Sequence, residues 1–140
     1  MALPVVRVGD APAIQAFLAE RLHEFNAKAT GYFDGESFTA VEQDDSGAIQ
    51  AGIAGYTWGG LCFVSELWVA ESRRGQGLGS ALLGAAEAHA RNRGCALLML
   101  SSHSFQSPGF YERLGFERQA VVQDYPPGHS NVFLAKRLGG

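Results

Sequence analysis

Arg74-Gly75-Gln76-Gly77-Leu78-Gly79-Ser80 is the stretch on which the fold turns. Before it runs a strand-like segment, Leu61 to Val69. After it runs a helix-like segment, Ser80 to Arg93. Three alternate glycines at a strand-to-helix junction let the backbone approach a ligand closely. The N–H groups of the turn and of the first helical residues then have no partner within the helix. Such a junction is suited to an anion, in particular a phosphate or pyrophosphate. The spacing is not that of a Walker P-loop, since no Lys-Ser or Lys-Thr follows. Nor is it G-x-G-x-x-G, because the glycines fall at 75, 77 and 79.

Working outward, the helix carries Leu82, Leu83, Ala86 and Ala90 toward a core, and Gly94 ends it as a C′ glycine. Cys95 to Leu100 reads as a buried strand. Ser107 and Pro108 open a short helix as N-cap and first residue, and Gly115 stops it. Phe116 to Gln123 and Asn131 to Lys136 are the last two strands. On the other side, Val5 to Val8 reads as a first strand and Asp10 as an N-cap with Pro12 in the first turn. Ile14, Phe17, Leu18, Leu22 and Phe25 keep helical spacing, so a helix runs to about Ala29. Ser37 to Gln43 and Ala48 to Trp58 flank the turn Asp44-Asp45-Ser46-Gly47, and Gly59-Gly60 makes a second tight turn. The expected fold is a single α/β (α+β) domain over 1–140. Its sheet is mixed and mostly antiparallel, with about six to seven strands flanked by helices.

Composition narrows the function. A chain of 140 residues, 46% hydrophobic and 18% charged, can bury a real core. A net charge of −3 argues against a nucleic-acid partner and suits a small cationic one. No apolar run approaches the roughly 18 residues of a membrane span, and the amino terminus lacks the pattern of a signal peptide. The expected location is the cytoplasm, with no membrane partner. The two cysteines, Cys62 and Cys95, have no metal-ligand spacing and read as buried thiols. No metal is expected.

A second cluster, Phe110-Tyr111-Glu112-Arg113-Leu114-Gly115-Phe116, follows the glycine loop by about thirty residues. Together the two resemble the GNAT superfamily of acyl-coenzyme A-dependent N-acyltransferases. Its glycine motif is Gln or Arg, two residues, Gly, one residue, then Gly or Ala; Arg74, Gly77 and Gly79 fill it. Phe110, Tyr111, Gly115 and Phe116 fill the downstream motif. The resemblance is strong from Leu61 to Phe116, and the stretches 104–111 and 124–129 look like those of a small bacterial subgroup.

The resemblance implies acetyl-coenzyme A as co-substrate. The backbone of Arg74, Gly75, Gln76, Gly77, Leu78, Gly79 and Ser80 would hold its pyrophosphate. Trp68 and Val69 would pair by main chain with the pantetheine arm, where this strand splays from the next. A backbone N–H within Leu67 to Val69 would polarise the thioester carbonyl. Tyr111 would protonate the leaving thiolate, beside Phe110. Many members carry Asn seven residues before that tyrosine, as a pantetheine contact; here the position is Ser104.

Acyl transfer from a thioester needs no covalent enzyme intermediate, so the lack of a Ser-His-Asp or Cys-His signature is no objection. Glu66 interrupts an apolar strand, where a carboxylate is costly unless it faces a wet cleft or has a partner. It is the first candidate for base, with an edge-facing or ion-paired glutamate as the alternative. His103, Asp124 and His129 are further proton carriers or ordinary surface groups. Phe25, Asn26, Tyr32 and Phe33 either shape an acceptor pocket or pack locally, and Arg73 either reaches the phosphates or stays solvated. The expected activity is transfer of an acetyl group to a primary amine, the partner being a small-molecule acceptor. The alternatives are a protein or peptide N-acetyltransferase and a non-catalytic acyl-coenzyme A sensor. The edge of the last hairpin is compatible with a homodimer.

Overall fold

The structure, a computed structural model, describes residues 3–139. Two compact units divide the chain, one up to Phe33 and one from Asp34 onward. The first holds α1 (Pro12–Thr30), whose Pro sits at the start, where its missing N–H costs nothing. The residue before the helix in cap position is Ala11, with no side-chain cap bond. Asp10 therefore does not cap it; its carboxylate instead accepts from Gln15 Nε2 at 3.5 Å. Gly31, at φ 80°, ends the helix in the left-handed conformation and donates to the Ala27 carbonyl at 2.7 Å. Glu24 pairs with Lys28 at 3.0 Å, one turn on. Val5 to Val8, expected as a strand, is not one. The described residues give it no ladder partner, and β-branched side chains alone do not hold an isolated strand.

The second unit begins with a meander of β1 (Glu36–Gln43), β2 (Ile49–Trp58) and β3 (Leu61–Val69). Then come α2 (Leu78–Asn92), β4 (Leu97–His103), α3 (Pro108–Arg113), β5 (Glu117–Gln123) and β6 (Ser130–Arg137). The six strands lie in the order β1-β2-β3-β4-β6-β5. Every adjacent pair is antiparallel except β3–β4. That pair is parallel because α2 carries the chain back across the sheet. β4 starts two residues later than its apolar run suggested and continues through the polar Ser101-Ser102-His103. The reason is its long pairing with β6, from Leu97↔Arg137 to His103↔Asn131.

One face of the sheet is the core. Ile53, Cys62, Val64, Leu98, Leu100, Val132 and Leu134 meet Leu82, Leu83, Ala86 and Ala90 of α2 there. Leu98, Leu100 and Leu134 are fully buried, each contributing about 1.5–3 kcal/mol relative to an exposed side chain. α3 adds Phe110 and Tyr111, with Leu114 and the buried Phe116 after it. Arg93, at the end of α2, ties it to β2 through Thr57 Oγ1 at 3.2 Å.

Alternation breaks in β3. Cys62 and Val64 point to the core, but beyond them Leu67 and Val69 do. The register explains the change of phase: Val64 pairs with Gly55 and Glu66 with Ala54, leaving Ser65 as an extra residue in a β-bulge. Ser65 Oγ donates to the Ala54 carbonyl at 3.1 Å and fastens it. Opposite the bulge only glycine fits. A Cβ on Gly55 would collide with the Phe63 carbonyl oxygen and stand 3.0 Å from two ring carbons of Phe38.

Candidate active site

β3 and β4 are paired only at Leu61↔Leu97, Cys62↔Leu98 and Phe63↔Met99. Beyond those three pairs, where the bulge follows, the strands separate while each keeps its outer neighbour. The sheet is therefore open between Ser65–Val69 and Leu100–His103. The splay expected from the resemblance is present.

The ladders show which backbone groups face this gap. The Ala70 N–H donates to the Gln50 carbonyl at 2.8 Å. By antiparallel alternation, Trp68–Gly52 and Glu66–Ala54 are then bonded pairs, and the N–H and C=O of Leu67 and Val69 turn into the gap. On the far side, Ser104 N donates to the Ser130 carbonyl at 2.8 Å, and Leu138 N to the Ala96 carbonyl at 2.9 Å. The same alternation directs the main chain of Ser101 and His103 into the gap. His103 closes the end, its N–H bonded to Gln106 Oε1 at 2.7 Å and its carbonyl to Gln106 N at 2.8 Å. Trp68, expected to share the main-chain pairing, has its N–H and C=O directed at β2. Leu67, Ser101 and the N–H of Val69 carry the free groups.

The glycine loop stands at the β3 end of this gap. A short 3₁₀ turn, Glu71–Arg73, leads into it. Gly75 and Gly77 have φ of 76° and 80°, the left-handed region that glycine enters freely. Gly77 is the N-cap of α2, without a side-chain cap bond. Among the described residues, the N–H groups of Gly75, Gln76, Gly77, Leu78, Gly79 and Ser80 make no hydrogen bond; the first helical bond is Ala81 N to Gly77 O, 3.0 Å. Two arginines brace the loop. Arg74 Nε holds the Val69 carbonyl at 3.1 Å. Arg73 Nε bonds Gln76 Oε1 at 3.1 Å and its guanidinium meets Glu42 at 3.4 Å, so Arg73 serves as scaffold. Six free N–H groups at a helix start, with no side chain filling the turn, fit the diphosphate of a coenzyme A.

The second motif packs against the first. A Cβ on Gly79 would lie 3.4 Å from Cζ of Phe110. Tyr111 is half-buried between edge contacts to Phe110 (5.1 Å) and Phe116 (5.8 Å). Burial pushes its phenol up from the ordinary tyrosine range. Its carbonyl accepts from Leu114 N and Phe116 N, at 3.0 and 3.1 Å. Ser104 Oγ accepts from Ser130 N at 3.0 Å, locking the loop after β4 to β6. Cys62 is fully buried and its thiol is pushed up to about 11 by burial and by Cys95, so it stays a thiol at neutral pH. Phe25 and Asn26 lie on α1, and Tyr32 and Phe33 in the loop after it.

Cross-strand partners share a face. Leu98, Leu100 and Ser102 are on the core face with α2 and α3. Met99, Ser101 and His103 are on the other, as are Glu66 and Trp68 beyond the bulge. Tyr111 and the glycine loop thus approach from the core side, and Glu66 and His103 from the opposite side. Asn131, the ladder partner of His103, was not singled out from the sequence. It is 3% exposed, and its Oδ1 has no partner among the described residues. Gln106 also escaped notice, as did the place of Ser65 in a bulge; the one usable signal for the former was the polar run Ser101-Ser102-His103-Ser104 ending an apolar strand. A groove of about 430 Å³ lined by Leu97, Met99, Glu117 and Arg137 lies at the opposite end of β4 from the gap. No cluster of metal-ligating residues and no helix able to cross a membrane occurs among the described residues.

A model of the acetyltransferase (GNAT) family matches residues 10–116. Blasticidin-S acetyltransferase of Streptomyces morookaense is 40% identical over 104 residues, covering 74% of this chain and 76% of that protein. Acetyltransferase Atu2258 of Agrobacterium fabrum is 32% identical over 131 residues, covering 94% and 95%. The crystal structure of an acetyltransferase from Bacillus cereus superposes with a TM-score of 0.81 at 31% identity, over 95% of this chain and 97% of that one.

Proposed function

The chain belongs to the acetyltransferase (GNAT) family, and from that premise we propose that it moves an acetyl group from acetyl-coenzyme A to a primary amine on a small molecule. The observation that carries the reading is the gap between β3 and β4, with the free N–H groups of the glycine loop at one end. Bound there, acetyl-coenzyme A supplies an already activated thioester. The loop N–H groups of Gly75 to Ser80 bind its diphosphate. Leu67, Val69 and Ser101 offer main-chain groups to its arm, as the unpaired edges of β3 and β4 would to an added strand.

An N–H of Leu67 or Val69 is placed to stabilise charge developing on the carbonyl oxygen. Tyr111, kept protonated by its burial, gives a proton to the departing sulfur from the core side. Glu66, exposed on the opposite face, takes a proton from the amine through water. Ser104 supports the gap through its bonds to Ser130. A small acceptor is favoured by the relative whose name specifies blasticidin-S. The free, buried thiols Cys62 and Cys95 suit the cytoplasm.

The test is thiol release from acetyl-coenzyme A across polyamines, amino acids, aminoglycosides and short peptides. Release with one small-molecule class is the expected result. Cofactor binding with no release from any amine would overturn catalysis on small amines, and release with peptides alone would make the acceptor a polypeptide.

A further inference from the structure

An ammonium acceptor loses two protons in becoming an amide. The C–N bond forms, the C–S bond breaks with its electron pair going to sulfur, and one proton leaves on the thiol. The other must reach solvent. Glu66 takes up one proton and Tyr111 delivers one to sulfur; a second acceptor on the side from which the amine comes lets the ammonium lose one proton before attack and the adduct lose the other after it, without Glu66 discharging in between. This argument rests on the acetyltransferase reading above.

We propose that His103 is that second proton acceptor, held by Tyr125 in the tautomer that leaves Nε2 free. Its Nδ1 lies 2.9 Å from the Tyr125 carbonyl oxygen. A carbonyl only accepts, so Nδ1 carries the hydrogen and Nε2 keeps its lone pair. Placement agrees. His103 is the last residue of β4, past the final β3–β4 pair, on the face it shares with Glu66. The ring is fixed by stacking on Phe105 (5.1 Å, 11° between planes) and by a tilted contact to Tyr125 at 5.2 Å. Phe105 is braced in turn by His129 at 5.1 Å. Gln106 pins the His103 backbone from both sides, and Ser104 joins the two loops. This is a rigid mounting for a ring that belongs to no core.

Asn131 is the ladder partner of His103 and shares its face, in a non-bonded pair. The titratable groups on the surrounding elements are Asp124, Tyr125 and His129 in the β5–β6 loop and Glu66 on β3.

The experiment uses the panel amine with the fastest thiol release. His103→Gln, which keeps a polar amide but loses the ring lone pair, should lower kcat/KM by about 10²-fold and change its pH profile, while acetyl-coenzyme A affinity is unchanged. Imidazole in solution should restore rate to His103→Ala. A His103→Gln enzyme as fast as wild type, with the same pH profile, overturns the role and leaves the acetyltransferase reading standing. Loss of rate that imidazole does not restore, together with weakened cofactor binding, makes the ring structural and overturns it too. Wild-type silence with every amine removes the acetyltransferase reading and this one with it.

Discussion

Gly55→Ala tests whether the bulge at Ser65 makes the gap. The added methyl would collide with the Phe63 carbonyl and press on two Phe38 ring carbons at 3.0 Å. A flexible side chain tip can yield at little cost, but a backbone carbonyl cannot. Phe63 is also the last β3 residue paired with β4, so moving it disturbs the point from which the strands diverge. Overpacking a tight site costs about 1–3 kcal/mol, and a backbone obstacle puts this change near the top, at about 3 kcal/mol. With a urea dependence of about 2 kcal/mol per molar, the unfolding midpoint falls by roughly 1.5 M. The control is the same substitution at Gly84 on α2, where nothing lies within 4 Å; it should stabilise by about 0.5–1 kcal/mol through helix propensity. Urea titrations followed by circular dichroism measure both. Acetyl-coenzyme A affinity should fall in Gly55→Ala and hold in Gly84→Ala. A Gly55→Ala midpoint within roughly 0.3 M of wild type, with unaltered affinity, would show that the bulge relaxes freely and that the gap does not depend on it.

Two further outcomes are expected. Gly77→Val meets open space, so its cost comes from holding a β-branched residue at φ 80°, about 1–2 kcal/mol; calorimetry should show acetyl-coenzyme A affinity reduced by about tenfold or more, and a folded variant with wild-type affinity would remove the loop from the cofactor site. Tyr111→Phe should lower kcat by about 10²-fold with cofactor affinity intact. Because the protonated phenol is the working form and burial raises its pKa, wild-type activity should hold through neutral pH and fall only above the ordinary tyrosine value of about 10. That limb should be absent in Tyr111→Phe, and a wild-type loss centred well below it would assign it to another group.

The parts legible in the sequence are those in which local pattern and tertiary need coincide. Leu82, Leu83, Ala86 and Ala90 keep a 3.6-residue period and all four are buried. Gly75 and Gly77 of the loop fall where a left-handed backbone is required. Leu61 to Val69 was read to its observed ends. What failed depended on partners. Val5 to Val8 has strand composition but no ladder. Asp10 is one residue too early to cap α1, because the chain enters the helix through Ala11 with an extended backbone. Ser104 looked like a shortened cofactor contact, yet its oxygen lies against an amide 26 positions away, a distance no local pattern encodes.

The bulge is the more instructive failure, because the residues were noticed and the consequence was not. Ser65-Glu66 reads as a polar break in an apolar strand. With strict alternation, Glu66 would follow Cys62 and Val64 onto the core face, where a carboxylate is costly. One inserted residue reverses the phase, so Glu66 faces outward while Leu67 and Val69 take up the core positions. The same shift sets which main-chain groups are free: Leu67 and Val69 face the gap while Trp68 bonds β2. It therefore bears on both halves of the proposed chemistry, by presenting oxyanion donors within the gap and by sending Glu66 to the side opposite Tyr111, the face that β4 gives His103. In the proposed reaction an amine entering from the face opposite the core meets Glu66 and His103 first, and the sulfur departs toward Tyr111 on the core side. In a tetrahedral adduct the nitrogen and the sulfur occupy different corners, so groups on opposite faces can serve the two separately, and the part of that arrangement due to Glu66 follows from a single extra residue in β3.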